Sequence, residues 1–290
     1  MINEEKKVII RLVRDDGKEI LLDGGDWKIP SNGLSGFGSL ENEISKNSNA
    51  FGDGDQFTSE RLGSKDRTVK VKVANVKNNV MLRSKAKAFF TFKHVYKMYV
   101  QYMSQNTYWC EGKLYKFALS EGNIYKPVEL QFTILSESPY WKSFDNFGKN
   151  IASVIPMAGF PYMSSSRGVP TGMYSYSKEV VVHNDGDIAT NVKAVFRASG
   201  DVTNPKLVVN NKYVRVLTTL VDQDELIIDF TSPIVRITKN GVNIIGATDR
   251  QSDLTGIELN VGANIIGYGA DNGDNNVDVS IYYNKLYGVI

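Results

Sequence analysis

The sequence predicts a mainly β protein, with an α+β N-terminal domain in which one helix packs on an antiparallel sheet and a C-terminal β-sandwich or jelly roll. Only residues 77–94 have apolar side chains at helical spacing, whereas residues 179–290 contain ten short strand-like segments separated by turns. Between them, residues 138–178 are interrupted by Pro, Gly and Ser and show no periodicity. With 290 residues, 42% of them hydrophobic, the chain is long enough for two cores. We therefore expect domains at 1–137 and 179–290, joined by a linker at 138–178.

The N-terminal domain is expected to begin with a β-hairpin. Residues 7–13 (KVIIRLV) and Glu19–Leu22 (EILL) are rich in apolar side chains and flank the turn sequence DDGK at 15–18. Residues 27–29 begin a further strand, which Pro30 ends because proline cannot donate to a sheet. This part of the chain is therefore predicted to contain three short strands.

A long polar segment, residues 33–66, follows and is called the arm. It begins with the sequence GLSGFG and reaches a tight turn, GDGD, at residues 52–55. Such sequences favour turns because Gly tolerates positive φ and Asp bonds its own backbone. Residues 67–73 then alternate strictly, which predicts a half-buried strand with its valines on one face. Because a compact enzyme core seldom devotes about thirty residues to a polar loop, the arm favours an assembly protein that contacts its neighbour.

The single helix is predicted within residues 77–94, with Asn78 or Asn79 as its cap. Its apolar residues at helical spacing are Val80, Met81, Ala86, Ala88, Phe89 and Phe90. Three strands are expected after it, at 95–100, 108–119 and 125–135. Because these strands follow one another with short turns, they predict an antiparallel meander with the helix packed on one face.

Short strands at regular spacing fill the C-terminal domain. They are predicted at residues 179–183, 192–198, 206–209, 213–219, 225–229, 235–238, 242–245, 257–261, 264–268 and 277–284. Turn sequences such as NDGD at 184–187 and DNGD at 271–274 separate them. Ten short strands with no helix among them are typical of a β-sandwich.

Charge and cysteine content narrow the class of protein. The net charge is +2, divided as 21 Lys/Arg against 17 Asp/Glu in residues 1–137 and 9 against 14 in residues 179–290. These small excesses support no DNA-binding function. No apolar run is long enough to span a bilayer, and the N-terminal sequence MINEEKKVII has no signal-peptide core. One cysteine, Cys110, excludes an internal disulfide and a multi-cysteine metal site.

The sequence provides no evident catalytic constellation. The two histidines, His94 and His183, lie in different predicted domains, and no activated-nucleophile motif accompanies either. Cys110 lies in a predicted strand and is interpreted as a small buried hydrophobe. The acidic turns at 52–55 and 271–278 offer oxygen ligands for calcium, but they lack the EF-hand spacing, and hairpin turns use the same residues. We therefore predict a non-enzymatic protein with no catalytic residue, no cofactor and no bound metal.

Two other functions stay open at this point. A carbohydrate-binding module that recognises host surface glycans would use the sandwich, where the candidate aromatic residues are Tyr268, Tyr282 and Tyr283, because all three tryptophans lie outside it. A hydrolase would need two opposed carboxylates in a cleft, and nothing distinguishes one pair among the 32 acidic residues.

The order of motifs along the chain resembles that of the distal tail proteins (Dit) of long-tailed phages and phage-like particles. After the N-terminal hairpin come GLSGFG at 33–38, GDG at 52–54, RTVKV at 67–71 and PYW at 139–141. The sandwich adds NDGD at 184–187, NP at 204–205, DELIID at 224–229 and LNVGAN at 259–264. Each motif is short, so the resemblance depends on their shared order across nearly the whole length.

The resemblance implies a structural role in the virion tail. Members of this family form a hexameric ring from their N-terminal domains, which continues the tail tube and holds the tail-tip hub or tail-associated lysin. Their C-terminal sandwich is galectin-like and carries receptor-binding or other baseplate proteins. For this chain it implies a ring homo-oligomer, assembled in the host cytoplasm, with no required nucleic-acid contact and no membrane insertion. The residues expected at the subunit interface are Leu34, Phe37, Phe51, Asp53, Gly54 and Arg67.

Overall fold

The computed structural model of this protein divides into two compact units. Unit 1 comprises Met1–Phe144 and Leu286–Ile290, and unit 2 comprises Asp145–Lys285. The structure describes residues 8–22, 24–48, 52–102, 106–121, 125–143, 147–150, 153–156, 172–175, 179–232 and 234–290. Most of these residues lie in short antiparallel strands, so the prediction of a mainly β protein with one α-helix is confirmed.

The regular elements follow one another along the chain. Those of unit 1 are β1 (Val8–Arg14), β2 (Glu19–Leu22), β3 (Trp27–Lys28), β4 (Leu34–Ser35), β5 (Asn42–Ser48), β6 (Asp55–Leu62), β7 (Lys65–Val73), α1 (Asn79–Phe89), β8 (Val95–Tyr102), β9 (Thr107–Leu119), β10 (Glu129–Ser136) and β11 (Trp141–Ser143). Those of unit 2 are β12 (Phe147–Asn150), β13 (Ser153–Pro156), β14 (Gly172–Ser175), β15 (Glu179–Asn184), β16 (Thr190–Asn191), β17 (Lys193–Ala198), β18 (Val202–Thr203), β19 (Lys206–Val209), β20 (Lys212–Arg215), β21 (Thr219–Leu220), β22 (Glu225–Asp229), β23 (Arg236–Lys239), β24 (Val242–Asn243), β25 (Glu258–Leu259), β26 (Gly262–Gly269) and β27 (Val277–Tyr283). The last strand, β28 (Leu286–Tyr287), belongs to unit 1.

One antiparallel sheet forms the framework of unit 1. Its strand order is β2-β1-β8-β9-β10-β7-β3, with β4 paired to β7 and β11 paired to both β9 and β28. The alternating segment predicted as a half-buried strand is β7, in which Val69, Val71 and Val73 are buried while the lysines between them are exposed. The period of two in the sequence therefore corresponds to the inner and outer faces of this sheet.

Helix α1 packs on the sheet through a narrow apolar side. Leu82, Ala86 and Phe89 face the core of unit 1 and are at most 4% exposed. Val80 and Met81, which also have the predicted helical spacing, lie outside this packed side, and both are more than half exposed. A helix of eleven residues can bury only the positions three and four apart that share one side.

Helix α1 has one of the two predicted residues, Asn78, at its N-cap position, although the side chain of Asn78 makes no capping hydrogen bond. A 3₁₀ turn, Val76–Asn78, precedes α1, and the side chain of Asn75 caps it by accepting a hydrogen bond from the backbone N–H of Lys77. The predicted cap residue Asn79 is buried instead. Its Nδ2 donates to the carbonyl of Lys126 at 2.8 Å, so this side chain links the helix to the chain before β10.

The two largest sheets of unit 2 share one core. The first has the order β12-β27-β17-β22-β23-β24, and the second has the order β15-β26-β19-β20. Phe196 and Ile228 from the first sheet and Leu207 and Ile266 from the second belong to the same buried cluster. This arrangement of antiparallel sheets around a single apolar core is a β-sandwich.

The stretch expected as a linker, residues 138–178, contains ordered strands. Trp141–Ser143 is part of the unit 1 sheet, Phe147–Asn150 pairs with β27, and Ser153–Pro156 pairs with Gly172–Ser175. Residues 144–146, 151–152, 157–171 and 176–178 lie outside the described residues. The proline, glycine and serine content of this stretch hid strands of only three or four residues.

Candidate assembly interface

Within the arm (residues 33–66), strands β5 and β6 form a two-stranded antiparallel hairpin. Strand β5 pairs with β6 from Asn42 opposite Leu62 to Ser48 opposite Asp55, with one bulge after Ser45. Every residue of these strands except Leu62 is exposed. Eight strand residues extend about 26 Å at ~3.3 Å each. The polar loop predicted from the sequence is a hairpin in the structure. Its two polar strands pair with each other and not with a core.

Ion pairs connect the two strands of the arm. Arg61 Nε donates to Glu43 Oε2 at 2.7 Å, and Lys46 Nζ lies 2.6 Å from Asp55 Oδ2. Exposed pairs of this kind contribute only ~0.2–1 kcal/mol each. A lone two-stranded hairpin is only marginally stable in water. We therefore expect a contact outside the hairpin to stabilise it.

The two faces of the arm differ in polarity. Directly opposed residues point to the same side of a hairpin, so Ile44 shares one face with Glu60, and Phe57 shares that face with Lys46. Ile44 is 52% exposed and Phe57 is 74% exposed. The opposite face is polar, and its residues are Glu43, Ser45, Asn47, Gln56, Ser59 and Arg61. The face that contains Ile44 and Phe57, called the apolar face of the arm, is left uncovered by the rest of this chain.

Glycines fix the root of the arm against strand β7. Gly36 has φ +81°, and a Cβ at this position would lie 2.1 Å from the backbone oxygen of Asp66. Beside it, Leu34 of β4 is opposite Val69 of β7 and packs against the core of unit 1. Only glycine fits at position 36, so the arm leaves the sheet in a fixed direction.

Two of the predicted interface residues lie inside unit 1. The rings of Phe37 and Trp141 are 5.3 Å apart, and the guanidinium carbon of Arg67 lies 4.3 Å from the centre of the Trp141 ring. Arg67 Nη2 also donates to the carbonyl of Pro139 at 2.6 Å. Phe37 is 4% exposed and Arg67 is fully buried. Within this chain both side chains therefore belong to the core below the arm, and their place at a subunit interface stays a prediction.

The other predicted interface residues are distributed along the arm. Leu34 is half-buried at the root, and Asp53 and Gly54 are exposed in the turn that precedes β6. Gly54 has φ +97°, and nothing lies within 4 Å of the position of a Cβ there. Phe51 lies outside the described residues. The structure thus separates an exposed set at the turn from a packed set at the root.

The residues considered for catalysis have local partners. His94 Nδ1 lies 2.6 Å from Asp15 Oδ1, and His183 Nδ1 lies 2.6 Å from Asp185 Oδ1. Cys110 is buried, and this burial raises the pKa of its thiol because the thiolate loses solvation. The histidines are far apart in sequence and lie in different units.

Carboxylates of the acidic turns pair with basic side chains and, in the described part of the chain, form no metal-binding cluster. Among the residues that the structure describes, no group of three His, Cys, Asp or Glu side chains is placed to hold a metal ion. Asp271 instead pairs with Arg215 and accepts a hydrogen bond from Asn204 Nδ2 at 2.8 Å. Asp55 pairs with Lys46 across the arm. Within the same described residues, no helix has the length and apolar character to cross a membrane.

Three residues that are prominent in the structure were not predicted from the sequence. Trp141 was assigned to the linker, although it is fully buried between Phe37 and Arg67. Ile44 and Phe57 went unnoticed because each is an isolated apolar residue in a polar segment. Pairing the two halves of the arm around the GDGD turn would have placed both on one face.

A family model matches part of this chain, and solved structures match nearly all of it. Residues 185–287 match the model of the siphovirus-type tail component, C-terminal domain. One match is the crystal structure of the Dit protein of phage SPP1, described as a paradigm of the hub adsorption apparatus in Gram-positive infecting phages. Its TM-score is 0.63 and its sequence identity is 13%. The match covers 96% of this chain and 98% of that one. A chain of the phage p2 baseplate in its activated conformation with Sr has a TM-score of 0.51 and 10% identity. This match covers 98% of this chain and 99% of that one. No curated protein matches the sequence.

These comparisons support the same conclusion over different parts of the chain. The structural matches show the fold over nearly the full length, and the family model accounts for most of unit 2. Both agree with the order of motifs noted in the sequence. The resemblance to the distal tail (Dit) proteins is therefore confirmed at two levels: residues 185–287 match the siphovirus-type tail component, C-terminal domain, and nearly the whole chain has the fold of the SPP1 Dit protein.

Proposed function

We propose that this protein forms a ring at the distal end of a phage tail, where it joins the tail tube to the tail tip without acting as an enzyme. The observation that carries the proposal is the arm, an exposed hairpin with an apolar face that this chain leaves uncovered. A hairpin of this kind is stabilised by a partner surface, and an assembly subunit provides one in its neighbour.

A head-to-tail contact accounts for a ring. If each arm contacts a different surface on the next copy, the interface is heterologous, and such contacts close into a ring when the rotation divides evenly. Six subunits are expected from the family resemblance alone. On the same basis, the tail tube protein would contact one side of the ring and the tail-tip hub or tail-associated lysin the other, and the sandwich would carry receptor-binding or other baseplate proteins.

Five of the six predicted interface residues take a place in this proposal. Asp53 and Gly54 belong to the turn that would contact the neighbour, and Leu34 fixes the root from which the arm extends. Phe37 and Arg67 act indirectly, because they are buried in the core below that root.

The alternative of a glycan-binding module loses support from the sandwich itself. Stacking on a sugar requires an exposed aromatic face. Of the three tyrosines considered, Tyr268 is 5% exposed and Tyr283 is 3% exposed, and only Tyr282 is partly accessible. Two of the three candidate rings are therefore core residues of unit 2.

The test is excision of the arm. Asn42 and Leu62 are directly opposed, so their Cα atoms are about 5 Å apart, and two glycines can join Glu41 to Gly63 after residues 42–62 are removed. The full-length protein should show the mass of several subunits by light scattering and a ring with a central hole by negative-stain microscopy. The excised variant should be monomeric with unchanged thermal unfolding. Rings that persist in the excised variant would disprove the role of the arm.

A further inference from the structure

The solvent-facing side of helix α1 is apolar. Val80 is 70% exposed and Met81 is 59% exposed, although both lie in a regular helix. Residues four apart share a side of a helix, so Ser84 and Ala88, which are also exposed, continue this stripe. We call Val80, Met81, Ser84 and Ala88 the outer face of α1. Two large apolar side chains side by side on a helix indicate a contact surface more than single scattered ones do.

Lysines flank the outer face of α1. On the helix, Lys85 and Lys87 are exposed on the two sides of the apolar stripe, and Lys77 is exposed one turn before it. Within the described part of the chain, no carboxylate forms an ion pair with Lys85 or Lys87. The surface therefore suits an apolar partner bordered by acidic groups.

The apolar face of the arm has this composition. Ile44 is opposite Glu60 in the hairpin, and Phe57 lies on the same face, close to Asp55 near the turn. Residues 42–62 contain four acidic and two basic side chains, so the arm has a net negative charge. On this face Lys46 pairs with Asp55, so Glu60 is the acidic side chain that complements the lysines beside the outer face of α1.

We propose that the apolar face of the arm of one copy docks on the outer face of α1 of a second copy. This proposal rests on the proposed function, in which the arm contacts a neighbouring subunit. It identifies the contact surface on that neighbour: Ile44 and Phe57 cover Val80 and Met81, while Glu60 lies close to the lysines that flank the stripe.

A second copy fits better than the same chain. Ile44, Phe57, Val80 and Met81 are all more than half exposed here, so this arm does not cover its own helix. The two surfaces are different from each other, which is the condition for a heterologous contact. Because the two complementary surfaces are on the same chain, each subunit can place its arm on one neighbour and bind the arm of the other neighbour.

Cross-linking tests the contact directly. The double variant Phe57→Cys with Val80→Cys should form disulfides between copies under mild oxidation and give a ladder of covalent dimers, trimers and larger species on a denaturing gel. Either single variant can give at most dimers. Native Cys110 is 2% exposed and should not contribute. The matched control is the double variant Phe57→Cys with Val242→Cys. Val242 is 65% exposed in unit 2, and this pair should give no ladder.

Charge reversal provides an independent test. Glu60→Lys alone, or Lys85→Glu with Lys87→Glu, should weaken subunit association about tenfold, since like charges replace attractive pairs. Combining the three substitutions in one chain should restore association, because each reversed arm meets a reversed helix. Ser59→Lys adds a positive charge on the opposite face of the arm and should leave association unchanged.

The outcomes separate this inference from the proposed function. If excision of the arm breaks the ring while the Phe57–Val80 pair gives no ladder and charge reversal has no effect, the arm contacts another surface and the inference is wrong. If excision leaves the ring intact, or the full-length protein stays monomeric without a ladder, both the inference and the role of the arm are wrong. A ladder with restored association in the combined variant would establish the contact.

Discussion

Arg67 lies with its guanidinium carbon 4.3 Å from the centre of the Trp141 ring, and both side chains are fully buried in unit 1. Nη2 donates to the carbonyl of Pro139, whereas Nε and Nη1 are buried without a partner among the described residues. Burial lowers the pKa of Arg67 because the cation loses solvation. This arginine therefore stabilises the core by stacking on Trp141 and filling volume. The cost of desolvating its charge opposes that stabilisation.

Replacing this cation by an apolar side chain tests the balance. Arg67→Met keeps most of the volume and removes the charge, so the free energy of unfolding should change by less than about 1 kcal/mol. Arg67→Ala leaves a cavity beside Trp141 and should cost about 3 kcal/mol. Chemical denaturation of both variants measures the difference. A loss of several kcal/mol in Arg67→Met would show that the charge itself stabilises the core.

Gly36 is expected to tolerate no side chain. Its φ of +81° is a left-handed conformation, and a Cβ there would meet the backbone oxygen of Asp66 at 2.1 Å. Gly36→Ala should therefore destabilise unit 1 by more than about 2 kcal/mol, because steric overlap adds to the conformational cost. Gly54→Ala is the matched control, since Gly54 also has positive φ but has open space around it. Its cost should stay near ~1 kcal/mol. Equal effects in thermal unfolding would contradict this account.

The sequence predicted the elements whose pattern is set locally. The alternation in β7 places Val69, Val71 and Val73 toward the core, as expected, because a strand has a period of two in any context. The arm was not predicted as a hairpin, since its strands have no buried face and only cross-strand pairs such as Arg61 with Glu43 reveal them.

Long-range contacts set the features that the sequence left undetermined. Trp141 begins a three-residue strand that pairs with Tyr287, more than a hundred residues away, and no local pattern predicts such a pairing. The sequence likewise left open which side of α1 is packed, since Val80 and Met81 share the helical spacing but are exposed. Helical spacing identifies several possible apolar sides, and only the sheet beneath the helix selects one.

Asp224 provides a pH-dependent contribution to the stability of unit 2. Lys239 Nζ lies 2.9 Å from its carboxylate, and this contact, with hydrogen bonds from Val221 and Asn240, lowers its pKa from 3.8 to about 2. A carboxylate with a lowered pKa contributes stability that is complete above 3.8 and is lost as pH falls through about 2.

Asp224→Asn should therefore unfold at a lower temperature than the unchanged protein at pH 6, and the two should converge as the pH falls from 4 to 2. Calorimetry across this pH range measures the difference between the two unfolding temperatures. Asp187→Asn, in an exposed turn of the same unit, serves as the control and should follow the unchanged protein throughout. A gap for Asp224→Asn that is the same at pH 6 and pH 2 would contradict the assignment.

Cys110 should react with thiol reagents only when unit 1 opens. Its side chain is 2% exposed, and burial raises the pKa of the thiol, so the reactive thiolate is both scarce and shielded near neutral pH. We expect its reaction with a disulfide reagent at pH 8 to be at least about a hundredfold slower in the folded protein than in denaturant. Val80→Cys adds an exposed thiol and should show one fast and one slow phase in the same sample. Fast reaction of the single native thiol would place Cys110 at the surface and contradict the packing of β9 against the core.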